Sequence, residues 1–169
     1  MSTQPPLNTL IIIAAAAVAC VLLVLFIRGR IEATSRASAN DIPAILDQLQ
    51  LGEGNPRFAV FMFVPADSKD GEPVNLQYSV EKGVVGFDWV LRSPRNIADR
   101  VAITEFATPL GYVLIEHATN GVSYLRVEGP WVGQLGIRVI RDLYKIHADA
   151  KLDLLVEGFD WPPPGTATP

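Results

Sequence analysis

The chain opens on one long apolar block and then changes to short apolar runs separated by polar turns. Leu10 to Ile27 is an 18-residue run with no charge, no Pro and no Gly. Wound as a helix it would be about 27 Å long, close to the roughly 30 Å hydrocarbon core of a bilayer. The pattern predicts a single transmembrane helix over 10–27, with residues 1–9 as a short extracytoplasmic tail. Ala17-Val18-Ala19-Cys20 also looks like a small-residue cleavage site ahead of a cysteine. Residues 1–9 carry no Lys or Arg, however, and the apolar run continues through Ile27, so an uncleaved signal-anchor is the better reading. Arg28, Arg30 and Arg36 follow the run and no cationic side chain precedes it. Positive charge marks the cytoplasmic side, which predicts a single-pass membrane protein with a cytoplasmic C-terminal domain.

Beyond the run, residues 28–40 are short on large apolar side chains and are expected to form a juxtamembrane linker. A soluble domain is expected over 41–161. Asp41 is placed to cap a helix with Pro43 in its first turn, where Ile42, Ile45, Leu46 and Leu49 fall on one face. Arg57 to Val64 suits a buried strand, closed by Pro65. A polar loop over 66–73 leads to strands over 76–81 and 84–91, joined by Lys82-Gly83 as a two-residue hairpin turn. Ser93-Pro94 starts a helix expected to run to about residue 107. Asn120-Gly121, between Tyr112–Ala118 and Val122–Val127, is the clearest hairpin signal in the chain, because both turn residues tolerate positive φ.

Gly129-Pro130 introduces a helix expected over 131–146. Its apolar stripe is Val132, Leu135, Val139, Leu143 and Ile146, and Arg138, Arg141, Asp142 and Lys145 lie opposite. Lys151 to Val156 reads as the last strand, and residues 162–169 as a Pro-rich disordered tail. Hairpins with helices between them predict an α+β domain: a mostly antiparallel sheet of about six strands with two or three helices on one face. The hairpin-then-helix unit occurs twice, with Pro94 and Pro130 in equivalent places.

Composition narrows the class of function. With 49% apolar and 19% charged residues the chain is neither a polyelectrolyte nor a fibrous repeat, and its single Cys, Cys20, excludes an internal disulfide. From residue 41 onward there are 11 Lys plus Arg against 17 Asp plus Glu, a net charge of −6. Non-specific affinity for nucleic acid comes from cations neutralising phosphates, so no nucleic-acid partner is expected.

The candidate chemistry is sparse. Gly86-Phe87-Asp88-Trp89 recurs as Gly158-Phe159-Asp160-Trp161, which reads as two strand ends with Phe inward and Trp outward. His117 and His147 are the only histidines and lack the partners of a metal site or a nucleophile constellation. His147 is expected to act as a cation at a helix C-terminus. Asp67, Asp70 and Glu72 lack the spacing of a calcium loop and read as a solvated turn. Neither a phosphate-cradling loop nor a dinucleotide fingerprint is present. No catalytic, cofactor-binding or metal-binding residue and no cofactor is therefore assigned, and the chain is not expected to be an enzyme.

The remaining candidates concern contact with a partner: Trp89, Trp131 and Trp161, and the basic side chains Arg138, Arg141 and Lys145. If Tyr78, Trp89, Tyr112 or Tyr124 stand together on the sheet face away from the helices, they form an apolar docking patch. The layout resembles bitopic bacterial membrane proteins that expose a cytoplasmic α+β adaptor domain, in topology and element types alone. The expected function is that of a membrane-anchored, non-enzymatic adaptor that binds a protein partner. The alternative is an exported or membrane-anchored domain holding a small molecule or lipid between sheet and helices.

Overall fold

The computed structural model describes residues 35–53, 56–68 and 70–163. The expected membrane span at 10–27 and the tail at 1–9 lie outside the described residues. Among those described, no helix is long and apolar enough to cross a membrane.

The domain is α+β. Seven strands, β1 (Ser35–Ala37), β2 (Phe58–Phe63), β3 (Val74–Glu81), β4 (Val84–Val90), β5 (Ile115–Thr119), β6 (Val122–Glu128) and β7 (Leu152–Glu157), form one sheet in the order β1-β7-β2-β3-β4-β6-β5. Every pairing in it is antiparallel. Four helices accompany the sheet: α1 (Ile42–Leu51), α2 (Pro94–Ala98), α3 (Arg100–Ala107) and α4 (Val132–Arg138). The sheet therefore has one strand more than the pattern predicts. The addition is β1, three residues inside the expected linker, held against β7 through Ser35 opposite Leu154 and Ala37 opposite Leu152.

Both hairpins form as their turn chemistry requires. Lys82 and Gly83 have φ of 53° and 82°, and Asn120 and Gly121 have φ of 51° and 78°. Positive φ at both central positions gives the twist that matches the flanking strands.

The two long helices depart from expectation in different ways. Residues 94–107 form two helices that break at Asp99 (φ −85°, ψ 4°). The Asp99 carboxylate there accepts from Arg95 Nε at 2.6 Å and from Tyr144 Oη at 2.6 Å. α4 continues as a π turn over Val139–Leu143, with Tyr144 N–H bonding back to the Val139 carbonyl at 3.1 Å. The wider turn lets the consecutive residues Val139 and Ile140 both reach the core. Lys145 then stops the helix at φ 58°.

Strand alternation sends one set of side chains into the helix layer. Phe61, Leu76, Tyr78, Phe87, Trp89 and Leu154 are fully buried there with Ile42, Ile45 and Leu49 of α1 and Leu135 of α4. α4 lies so close to the sheet that a Cβ at Gly136 would stand 1.8 Å from Tyr78 Oη, so only Gly fits. Arg57, at the start of β2, donates to the carbonyls of Leu49, Gln50 and Gly52, where a cation offsets the negative end of α1.

Asn96 holds α2 to the sheet with every one of its polar groups. Its side chain donates to the Asn75 carbonyl at 2.7 Å and accepts from Asn75 N–H at 3.1 Å. The amide thus stands in for a strand where the β3–β4 ladder has ended. Its backbone N–H donates to the capping Ser93 Oγ, and its carbonyl accepts from Trp89 Nε1 at 2.9 Å.

Candidate interaction surface

The sheet face away from the helices carries a polar cluster in place of an aromatic patch. Arg126 on β6 stands opposite Asp88 on β4, and Gln77 and Ser79 of β3 lie beyond. Arg126 is 2% exposed and Asp88 1%, although neither belongs to the apolar core. Arg126 Nη1 donates to Asp88 Oδ1 at 2.6 Å and to Ser79 Oγ at 3.0 Å, Nε donates to Glu128 at 2.7 Å, and Nη2 to the Val84 carbonyl at 3.2 Å. Ser79 Oγ donates to the other Asp88 oxygen, and Tyr124 Oη donates to Glu81 at 2.9 Å.

The guanidinium lies flat over Gly86, where an added Cβ would meet Cζ at 2.4 Å. Burial pushes the Asp88 carboxyl up to about 6, while Arg126 and the Ser79 hydroxyl pull it down. One cation among three carboxylates, with its donors engaged, is an internal ionic tie across three strands and is not posed to capture a ligand.

The aromatic residues are divided between the two layers. Tyr78 and Trp89 are fully buried in the helix layer, Tyr112 is half-buried with its hydroxyl donating to the Trp131 carbonyl at 2.9 Å, and Tyr124 is tied to Glu81. No contiguous patch of Tyr78, Trp89, Tyr112 and Tyr124 exists on the open face. Trp89 therefore offers no surface to a partner. Phe87 and Trp89, two positions apart on β4, both face inward, which corrects the reading of Trp as outward. The second Gly-Phe-Asp-Trp begins after β7 ends, with Gly158 at φ 81°, and its Trp161 is partly buried against the core.

The other partner candidates converge on one helix. Trp131, immediately before α4, is 68% exposed. Gln134, Arg138, Arg141 and Lys145 follow at spacings of three and four, and none of them is buried. Trp131, Gln134 and Arg138 lie along one exposed side at α4, away from the buried Val132, Leu135 and Val139, while the π turn and the helix end at Lys145 take Arg141 and Lys145 out of that period. Asp142 lies among the cations, accepting from Arg138 at 3.2 Å and from Arg141 at 2.7 and 3.0 Å. Those hydrogen bonds hold its carboxyl down at about 2. The surface is therefore an aromatic head followed by a partly neutralised basic segment.

The histidines and the acidic loop have local roles. His117 stacks on Tyr124 with ring centroids 5.5 Å apart. His147 lies past the helix end, and its Nδ1 accepts from Asp149 N–H at 3.3 Å, so it does not cap the helix. Asp67 and Asp70 are exposed, as a solvated turn requires, and Asp67 also pairs with Arg95 of α2 at 3.2 Å. Among the described residues no group of three or more His, Cys, Asp or Glu is placed to hold a metal ion.

No protein family, curated protein or solved structure matches this chain.

Proposed function

We propose that this chain is a membrane-anchored, non-enzymatic adaptor whose α+β domain binds a protein partner on the cytoplasmic side. The single observation that carries the reading is the surface headed by Trp131. A tryptophan left 68% exposed at the head of a helix whose following turns carry the unburied Arg138 and Arg141 combines the two residue types that most often dominate binding energy at protein interfaces. The acidic surface charge weighs against nucleic acid. Residues 10–27 supply the anchor in this reading, and Arg28, Arg30 and Arg36 set its orientation.

Two measurements on the full-length chain test it. A tagged form purified from solubilised membranes should bring down one protein in stoichiometric amount. Trp131→Ala should lose that protein, while substitution of Val64, another exposed apolar residue, should not. Equal recovery with Trp131→Ala, or no co-purifying protein at all, overturns the docking surface. For the topology, Asp70→Cys in a Cys20→Ser background places a thiol in an exposed loop. An impermeant maleimide should fail to label it in intact cells, and labelling from outside reverses the orientation.

A further inference from the structure

The two edges of the sheet are protected very differently. β1 is three residues long and carries an Arg36–Asp153 ion pair at 3.3 Å. β5 is five residues long, contains no Pro or Lys, and four of its five residues are exposed. Short length and charge are the usual means of blunting an edge. β1 has both, whereas β5 is longer, carries its one charge, Glu116, paired with Arg100, and presents a regular row of backbone groups.

The direction of those groups follows from the hydrogen bonds of β6. The Ser123 carbonyl accepts from Leu91 N–H at 2.8 Å, on the β4 side, so Ala118 opposite Ser123 is a non-hydrogen-bonded pair. Alternation then turns the N–H and C=O of Ala118 and Glu116 outward from the sheet. Exposed apolar side chains border this edge. Val113 is 74% exposed and Ile115 58%. On the helix side Arg100 reaches Glu116 at 2.6 Å.

We propose that β5 pairs antiparallel with β5 of a second copy of this chain, about a two-fold axis at His117, so that two sheets join into one. Self-pairing must bring outward-facing residues together, which limits the register. Centred on residue 116, it sets Glu116 against Glu116 of the other copy, and directly opposed like charges destabilise a sheet. Centred on residue 118, it runs off the strand into the Asn120-Gly121 turn. Centred on His117, all five residues overlap: Glu116 bonds Ala118 of the other copy, Ile115 faces Thr119, and His117 faces His117. An axis perpendicular to the sheet keeps both helix layers on one side. This pairing uses no residue of the Trp131 surface and does not depend on its role.

Oxidative cross-linking of the full-length chain in its membrane, in a Cys20→Ser background, tests the register. A non-hydrogen-bonded antiparallel pair holds its Cα atoms about 4.5 Å apart, inside the roughly 4.4–6.8 Å that a disulfide spans. His117→Cys should yield a disulfide-linked dimer, and Glu116→Cys alone should not. Ile115→Cys and Thr119→Cys should cross-link only when both are present. A dimer strongest at Glu116→Cys overturns the register, and no cross-link anywhere over 115–119 overturns the pairing. Ala118→Pro removes an outward N–H that the β5–β6 ladder does not use. It should leave the unfolding temperature unchanged and abolish the dimer in light scattering of the detergent-solubilised protein; a persistent dimer overturns the proposal.

Discussion

The two faces of the central strands are built from alternate residues of the same segments, yet they are held by different forces. Toward the helices, Leu76, Tyr78, Phe87 and Trp89 interlock with α1 and α4 through apolar contact, and Tyr78 stands edge-to-face with Phe87 at 5.9 Å and with Phe61 at 6.3 Å within the sheet. On the other face, Ser79, Asp88 and Arg126 are held by directed, charge-assisted bonds. Apolar burial is roughly proportional to area and tolerates rearrangement. The ionic tie works only if β3, β4 and β6 keep their register, since a slip of one residue sends Arg126 to the apolar side. The helix face thus supplies most of the stability, and the open face specifies which strand lies beside which.

That division can be broken at either face. The largest loss is expected for Trp89→Ala, which empties the core and orphans the Asn96 carbonyl; urea unfolding should show about 4 kcal/mol. Next is Arg126→Ala, which leaves Asp88 buried without its cation and should cost about 3 kcal/mol. Replacing both partners together, with Arg126→Met and Asp88→Leu, should restore stability to within about 1 kcal/mol of the parent. If the double replacement stays as unstable as the single one, the tie supplies stability and the contrast between the faces fails.

A pH series sharpens the comparison. The folded Asp88 carboxyl lies above the ordinary value of 3.8, at about 6, so the folded state holds that proton more tightly than the unfolded chain does. Its contribution is complete below pH 4 and is lost as pH rises toward about 6. The stability of the parent minus that of Asp88→Asn should therefore fall across this range, by on the order of 2 kcal/mol. A difference that rises with pH would show that Arg126 outweighs burial. The smallest effect belongs to the β1 edge, where Arg36→Ala breaks an exposed pair and should shift stability by less than about 0.5 kcal/mol.

Much of the fold was legible because its signals are local. Lys82-Gly83 and Asn120-Gly121 adopt their turns through their own φ preferences, and Ser93-Pro94 starts α2 through a cap and a fixed φ. β1 was not legible, since Ser35-Arg36-Ala37 has no apolar pattern and becomes a strand only against the open side of β7. The break at Asp99 was hidden for the same reason, since its carboxylate is engaged by Tyr144, 45 residues away. Of the surface candidates, Arg138 was recoverable from helical spacing, whereas Arg141 and Lys145 are exposed although the π turn and the helix end take them out of that spacing. Trp89 was misread because a large aromatic near a strand end looks alike whether it faces core or solvent. The Arg126–Asp88 tie left one faint trace, a glycine at position 86 beside them in the sheet, where a strand would ordinarily carry a side chain.

The sequence by itself determined the apolar block at 10–27, the α+β class, both hairpin turns and the inward sides of α1 and α4, because these depend on periodicity and on neighbours a few residues apart. Tertiary structure alone decided the order of the strands, the burial of an ion pair on a face that alternation marks as polar, and which edge of the sheet stands open. Each of these rests on contacts between segments tens of residues apart, and no local pattern records a distant partner.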